Sequence, residues 1–179
     1  MATSLSFRQK IQGLLYPIRI RTSSSALNPV LELYYYQGRY MLATKDAIYS
    51  DGEKYRPLVK AFESPRLQSA LSHVRNVLVL GTGLASAVHI LSAKGFHPQF
   101  TLVEIDALVL EWAQEFLPAN VQVQAVNEDA FTFIAKDIHS YDLVIVDIFF
   151  GRDVPERVMQ PEFINQCKAR LTPAGFLSA

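Results

Sequence analysis

Asn76-Val-Leu-Val-Leu-Gly-Thr-Gly-Leu-Ala-Ser86, followed downstream by Phe100-Thr-Leu-Val-Glu-Ile-Asp106, decides the fold of this chain. An apolar run ends in a Gly-x-Gly turn. A second apolar run ends in two acids, Glu104 and Asp106. That order reads as strand, tight turn, helix, strand. Gly81 and Gly83 let backbone approach a ligand, and the two acids offer acceptors to a ribose diol. A nucleoside-containing cofactor is expected at this turn.

Working outward from there, strands and helices alternate regularly. The pattern predicts strand 76–81, helix 84–94, strand 100–106 and helix 107–117, which Pro118 stops. Strand 121–127, helix 130–136, strand 141–149, helix 156–171 and a last strand opening at Gly175 follow. This rhythm specifies α/β architecture, a Rossmann-like doubly wound parallel sheet covered on both faces. Val77–Leu80 and Leu143–Val146 are apolar throughout, as doubly buried strands must be. Upstream, residues 18–22 alternate like a strand, and residues 31–42 form a hairpin bent at Gln37-Gly38. A short strand over 46–50 completes a small antiparallel unit, and short helices are expected at 55–62 and 65–72. Residues 1–55 are therefore assigned to a small N-terminal β-unit and 56–179 to the Rossmann-like domain. The sequence ends inside the last strand, where such sheets often continue; an edge left exposed there would call for a covering partner.

Composition narrows the function. Half of the 179 residues are hydrophobic, enough for a real core. Lys and Arg number 17, as do Asp and Glu, so no global pull toward nucleic acid or membrane arises. No basic run interleaved with aromatics suggests a nucleic-acid partner. The lone Cys167 cannot close an internal disulfide, which points to a reducing, cytoplasmic setting. The N-terminus lacks a signal-peptide core, and the glycine turn splits the longest apolar stretch, so no membrane span is expected. His73, His89, His97 and His139 show no metal-ligand spacing, so no metal is expected. Trp112, with Leu108 and Phe116 one turn away on either side, suits core packing or a subunit contact.

Ligands of open parallel sheets bind at the carboxyl ends of the strands. Read in order, those ends carry Gly81 and Gly83, then Glu104 and Asp106, then Asn127, Glu128 and Asp129, then Asp147. Acids after three of four strands, beside a glycine turn, favour a nucleoside site over solvated loop acids. A nicotinamide cofactor is the nearest rival. However, Gly81-Thr-Gly-Leu-Ala-Ser86 lacks the third glycine of G-x-G-x-x-G, and no arginine near the loop meets a pyrophosphate. Carboxylates suit an adenine amine and a cationic sulfonium, so an S-adenosyl compound is favoured.

The order Val-Leu-Val-Leu-Gly-Thr-Gly, Val-Glu-Ile-Asp, Asn-Glu-Asp-Ala-Phe and Tyr-Asp-Leu-Val-Ile-Val-Asp resembles the spermidine synthase family and its class I methyltransferase-like relatives. Leu42–Ser50 and Tyr55 resemble that family's N-terminal β-domain and its junction. The resemblance spans residues 31–177. It implies S-adenosylmethionine or its decarboxylated form as cofactor, a polyamine or other small-molecule acceptor, and a homodimer. By motif it gives Glu104 to the ribose hydroxyls, and Glu128 and Asp129 to the adenine amine. Gly81 and Gly83 would shape the turn under the methionine-derived part. Asp147 would face the reacting centre as the catalytic residue, and Tyr49 and Tyr55 would lie near the acceptor.

The departures are specific. Polyamine-making members carry Gly-Gly-Gly-Asp-Gly-Gly at the first turn; here the aspartate position is Leu84, and two glycines are Ala85 and Ser86. They carry Asp-Ser-Ser-Asp after the fourth strand; here the run is Asp147-Ile-Phe-Phe150, with Asp153 beyond it. A histidine expected after the junction tyrosine is Arg56. Three activities follow as expectations: aminopropyl transfer to a polyamine, methyl transfer to a small molecule, or nucleoside binding without turnover.

Overall fold

The computed structural model describes residues 5–45, 47–149 and 153–178, which form two sheets. Strands β1 (Ile18–Ser23), β2 (Leu31–Tyr36), β3 (Arg39–Thr44) and β4 (Ile48–Ser50) pair antiparallel in that order. Gln37 and Gly38 turn the β2–β3 hairpin with φ of 48° and 86°. Two successive left-handed residues match the twist of the strands they join. Asp46, placed in a strand by the sequence pattern, lies outside the described residues.

Helix α1 (Phe7–Leu15) has no counterpart in the sequence reading. Its signal is a capping box. The Ser6 hydroxyl accepts from the Gln9 N–H at 3.2 Å, and the Gln9 side chain accepts from the Ser6 N–H at 2.9 Å. Gly13 is buried where the helix meets the sheet. A Cβ there would fall 2.5 Å from the Tyr35 ring.

Helices α2 (Arg56–Phe62) and α3 (Pro65–Ala70) lead into the parallel sheet. It comprises β5 (Asn76–Leu80), β6 (Gln99–Glu104), β7 (Gln122–Asn127), β8 (Tyr141–Val146) and β9 (Leu171–Ser178), in the order β7-β6-β5-β8-β9. Its further helices are α4 (Ser86–Ala93), α5 (Ala107–Glu115), α6 (Ala130–Lys136) and α7 (Pro161–Ala169). Alternate residues of one strand serve two cores. Val77, Val79, Leu143 and Ile145 pack with α2 to α5, whereas Leu78, Leu80 and Val144 pack with Ile134, Phe163 and Cys167. Each fully buried aliphatic side chain contributes roughly 1.5–3 kcal/mol, so polar residues are excluded from both faces.

A third cluster joins the two sheets: Leu31, Leu33, Leu42, Leu84, Val109 and Trp112. Trp112 is therefore core, 1% exposed, between α5 and the antiparallel sheet. Arg21 reaches across to Glu115 with two 2.9 Å hydrogen bonds and lies 5.2 Å from the Trp112 ring centre. Such bidentate pairing fixes orientation as well as adding energy.

Several boundaries differ from expectation. The predicted helix 156–171 is a 3₁₀ turn over Glu156–Met159 and then α7, because Pro161 can open a helix but not continue one. Strand β9 starts at Leu171 rather than Gly175. Its register slips between Tyr141 and Leu143, so a bulge absorbs Pro173 and Gly175. Helix α4 starts at Ser86 rather than 84, since Ala85 stands left-handed at φ 58°.

Candidate functional site

Strand order reverses at β5, with β6 on one side and β8 on the other, which opens a crevice at their carboxyl ends. A cavity of about 610 Å³ lies there, the size of a small-molecule site. The ends of β5 to β8 form one wall. Asn28 and a segment running from Ala47 to Pro57 form the other.

The turn glycines have a reason within the chain itself. Gly81 has φ 85°, and a Cβ there would fall 2.3 Å from the Asp147 carbonyl oxygen. Gly83 has φ 52°, with the Tyr49 carbonyl 3.2 Å from the same construction. Both line the cavity, so close backbone packing holds the turn open on that side.

Glu104 organises this turn. One carboxylate oxygen accepts from the N–H groups of Thr82 at 3.0 Å and Gly83 at 3.2 Å; the other accepts from the Asp106 N–H at 3.1 Å. Burial raises its pKa, and the three N–H groups oppose that shift. Asp106 is a correction to the expected nucleoside contacts. It is 3% exposed and, among the described residues, does not line the cavity. One of its oxygens caps α5 through the Leu108 N–H at 3.0 Å. The other accepts from the Ser25 hydroxyl and from the Asn28 amide at 2.7 Å. Its acceptors are spent on a helix cap and on tethering the loop before β2.

Glu128 and Asp129 both line the cavity. Glu128 pairs with Lys136 at 2.6 Å. Asp129 caps α6, accepting from the Thr132 N–H at 2.9 Å and its hydroxyl at 3.0 Å. The Asn127 amide ties β7 to the carbonyls of Glu104 and Ile105, both at 2.9 Å.

Across β5, the Tyr55 hydroxyl donates to Asp147 Oδ1 at 3.3 Å. Burial pushes the Asp147 carboxyl up to about 6; the Tyr55 hydroxyl opposes this and the Glu104 charge adds to it. Burial, and then the Asp147 charge, push the Tyr55 phenol well above its usual range. Asp147 is thus ionised near neutrality yet still basic, the range a general base needs. Tyr49 and Phe149 line the same side. Phe150 lies outside the described residues. Asp153 is exposed and, among the described residues, does not line the cavity.

Leu84 does not face the cavity. It is 1% exposed, inside the cluster beneath the antiparallel sheet. The sequence reading also missed Asn28, Ile48, Lys54 and Phe131, which line the cavity. No local motif marks them, because packing between the two sheets brings three of them there. Among the described residues no group of three or more His, Cys, Asp or Glu could hold a metal ion, and no helix is long and apolar enough to cross a membrane.

The comparisons agree with this geometry. The spermidine synthase solved in complex with the transition state analogue AdoDATO superposes with a TM-score of 0.66 at 17% identity, covering 89% of this chain and 56% of that one. Human methyltransferase-like protein 13, solved with SAH, gives a TM-score of 0.52 at 20% identity, covering 70% of this chain and 62% of that one. These likenesses establish the α/β fold shared by spermidine synthases and class I methyltransferases. The polyamine aminopropyltransferase of Clostridium botulinum (strain Eklund 17B / Type B) is 30% identical over 111 residues, 59% of this chain. The chain spans only 39% of that relative's length. The model of the spermine/spermidine synthase domain matches residues 65–179, most of the chain. With that match, this sheet order and this strand-end acid pattern, the chain belongs to the spermine/spermidine synthase domain family.

Proposed function

We propose that the cavity binds an S-adenosyl nucleoside and that the chain transfers a group from its sulfonium to a small-molecule acceptor. The observation carrying this is the placement of Asp147, held by Tyr55, on the side of β5 opposite Glu104. The cavity suits such a ligand: its volume suffices, Val103, Ile105 and Phe131 offer apolar surface for a base, and the lining acids Glu104, Glu128 and Asp129 are acceptors of the kind that hydroxyls and an amine require. The AdoDATO and SAH complexes of the structural relatives support the same ligand class.

When bound, the nucleoside supplies a carbon activated by positive sulfur. Glu104 accepts from the ribose hydroxyls while keeping the glycine turn in shape. Glu128 and Asp129 sit at the adenine amine. Tyr55 orients Asp147, whose carboxylate takes the proton that the acceptor's nucleophile loses. Tyr49 borders the acceptor. Residues 1–55 then form the unit that closes the cavity, and 56–179 the nucleoside-binding domain. A homodimer in the cytoplasm completes the proposal; sedimentation of the purified chain tests the oligomer.

Family membership supports aminopropyl transfer to a polyamine. A specific observation supports methyl transfer instead. The position that carries an aspartate in polyamine-making members is Leu84, buried under the antiparallel sheet, so nothing there holds the amine of a decarboxylated nucleoside. Calorimetric titration with S-adenosylmethionine and with its decarboxylated form decides between them. Preference for the decarboxylated form supports aminopropyl transfer, preference for the parent supports methyl transfer, and binding of neither by the folded chain refutes the proposal.

A further inference from the structure

The cavity has two chemically different ends. Glu104, Glu128 and Asp129 stand at the ends of β6 and β7, on one side of β5. On the β8 side, the facing wall is the segment around Tyr55, fixed there by the Tyr55–Asp147 hydrogen bond.

That wall carries three further charged side chains: Asp51, Lys54 and Arg56. Asp51 is neutralised, since Arg39 Nε lies 2.5 Å from one of its oxygens and Arg39 Nη2 lies 3.4 Å from the other. Lys54 and Arg56 are exposed, and the side chain of neither makes an ion pair or hydrogen bond with another described residue. Among the described residues, two cations without a side-chain partner therefore border this end, beside the Asp147 carboxylate. The cavity also exposes large apolar side chains: Phe149, just after β8, is 37% exposed, and Ile48 on the facing wall is 56% exposed.

We propose that the acceptor is an apolar, ring-sized molecule bearing a negatively charged group, which Lys54 and Arg56 receive at the β8 end of the cavity. Ile48 and Phe149 cover its apolar body. A polycation entering here would face two like charges, with Asp147 the one carboxylate without an ion-pair partner among the described lining residues of this end, an arrangement that selects against it. The inference deepens the proposed function, because it takes the β6–β7 end as the nucleoside's place.

The test uses benzoate and 1,4-diaminobutane as probes, titrated into the full chain at low salt and followed by NMR. The nucleoside 5′-methylthioadenosine is titrated separately. Benzoate is expected to bind more tightly than 1,4-diaminobutane and to perturb the signals of Ile48, Lys54 and Arg56. The paired substitutions Lys54→Glu and Arg56→Glu are expected to weaken benzoate at least about tenfold and to strengthen the diamine. Lys54→Gln with Arg56→Gln gives the same direction if the reversed charges disturb folding. A wild-type chain that prefers 1,4-diaminobutane, or benzoate binding unchanged by both pairs, overturns the inference. Failure of 5′-methylthioadenosine to bind, with the benzoate pattern intact, removes the nucleoside assignment and leaves the anion-binding wall standing.

Discussion

Gly81 and Asp147 are neighbours through their backbones. The Asp147 N–H donates to the Leu80 carbonyl at 2.8 Å, and the Asp147 carbonyl lies where a Gly81 side chain would begin. The glycine therefore sets how deeply the end of β8 settles against β5, and with it the position of the Asp147 carboxylate. Gly81→Ala adds left-handed strain to a clash with backbone that cannot rotate away, and is expected to cost roughly 2–4 kcal/mol. Gly38, with φ 86° and open space around it, is the control. Gly38→Ala carries strain alone and is expected to cost about 1–2 kcal/mol. Chemical denaturation of the two variants measures the difference, and nucleoside affinity falls only in the first.

Asp147 makes stability depend on pH in an identifiable direction. Its folded pKa of about 6 lies above the ordinary 3.8, and burial is the main cause. Below about pH 3 the group is protonated in both states and the folded state bears no penalty. As pH rises from about 4 through 6, the unfolded chain releases this proton first, so stability falls across that window. Asp147→Asn keeps the shape and the acceptor for Tyr55 while removing the charge. It is expected to stabilise the chain by roughly 1–3 kcal/mol at pH 7.5 and by almost nothing near pH 3. Under the proposed function it also lowers turnover at least about a hundredfold. Denaturant titrations at the two pH values, with single-turnover assays, check both halves; full activity in Asp147→Asn removes the residue from the chemistry.

Glu104 and Asp106 sit two residues apart and divide binding from stability. Asp106→Ala removes the cap of α5 and the tether to Ser25 and Asn28, with an expected loss of roughly 2–3 kcal/mol. Glu104→Gln cannot accept from both sets of N–H groups with its single remaining oxygen. It also relieves a buried charge, so stability changes little while nucleoside affinity falls at least about tenfold. Thermal melts paired with calorimetry separate the two; the opposite pattern would exchange their roles.

The parallel sheet was legible because doubly buried strands such as Val77–Leu80 leave no polar residue to confuse their reading, and because Gly-x-Gly and strand-end acids mark one edge. The hairpin was legible from Gln37-Gly38 for the same local reason. Asp106 misled because an acid at a strand end and an acid at a helix start are the same residue in a βα unit. Which role it fills depends on Ser25 and Asn28, far away in sequence. Lys54 and Ile48 escaped notice because only the packing of the antiparallel sheet turns them toward the cavity. Helix α1 was missed although Ser6 and Gln9 form a capping box, since its apolar residues are largely exposed and give no inward periodicity.

Leu84 is where family pattern and packing disagree most sharply, and it gives a direct test. An aspartate restored at this position would not enter the cavity. It would stand among Leu31, Leu33, Leu42, Val109 and Trp112 with no polar partner in the cluster. A carboxyl buried there without hydrogen bonds is expected to destabilise the chain by about 4 kcal/mol or more, or to draw the antiparallel sheet off α5. Leu84→Ala, which leaves a cavity but no charge, is expected to cost roughly 2–4 kcal/mol. Denaturation midpoints rank the two. Should Leu84→Asp melt like the wild type and gain affinity for decarboxylated S-adenosylmethionine, the turn must repack with residue 84 facing the ligand. The aminopropyl assignment would then displace the methyl one.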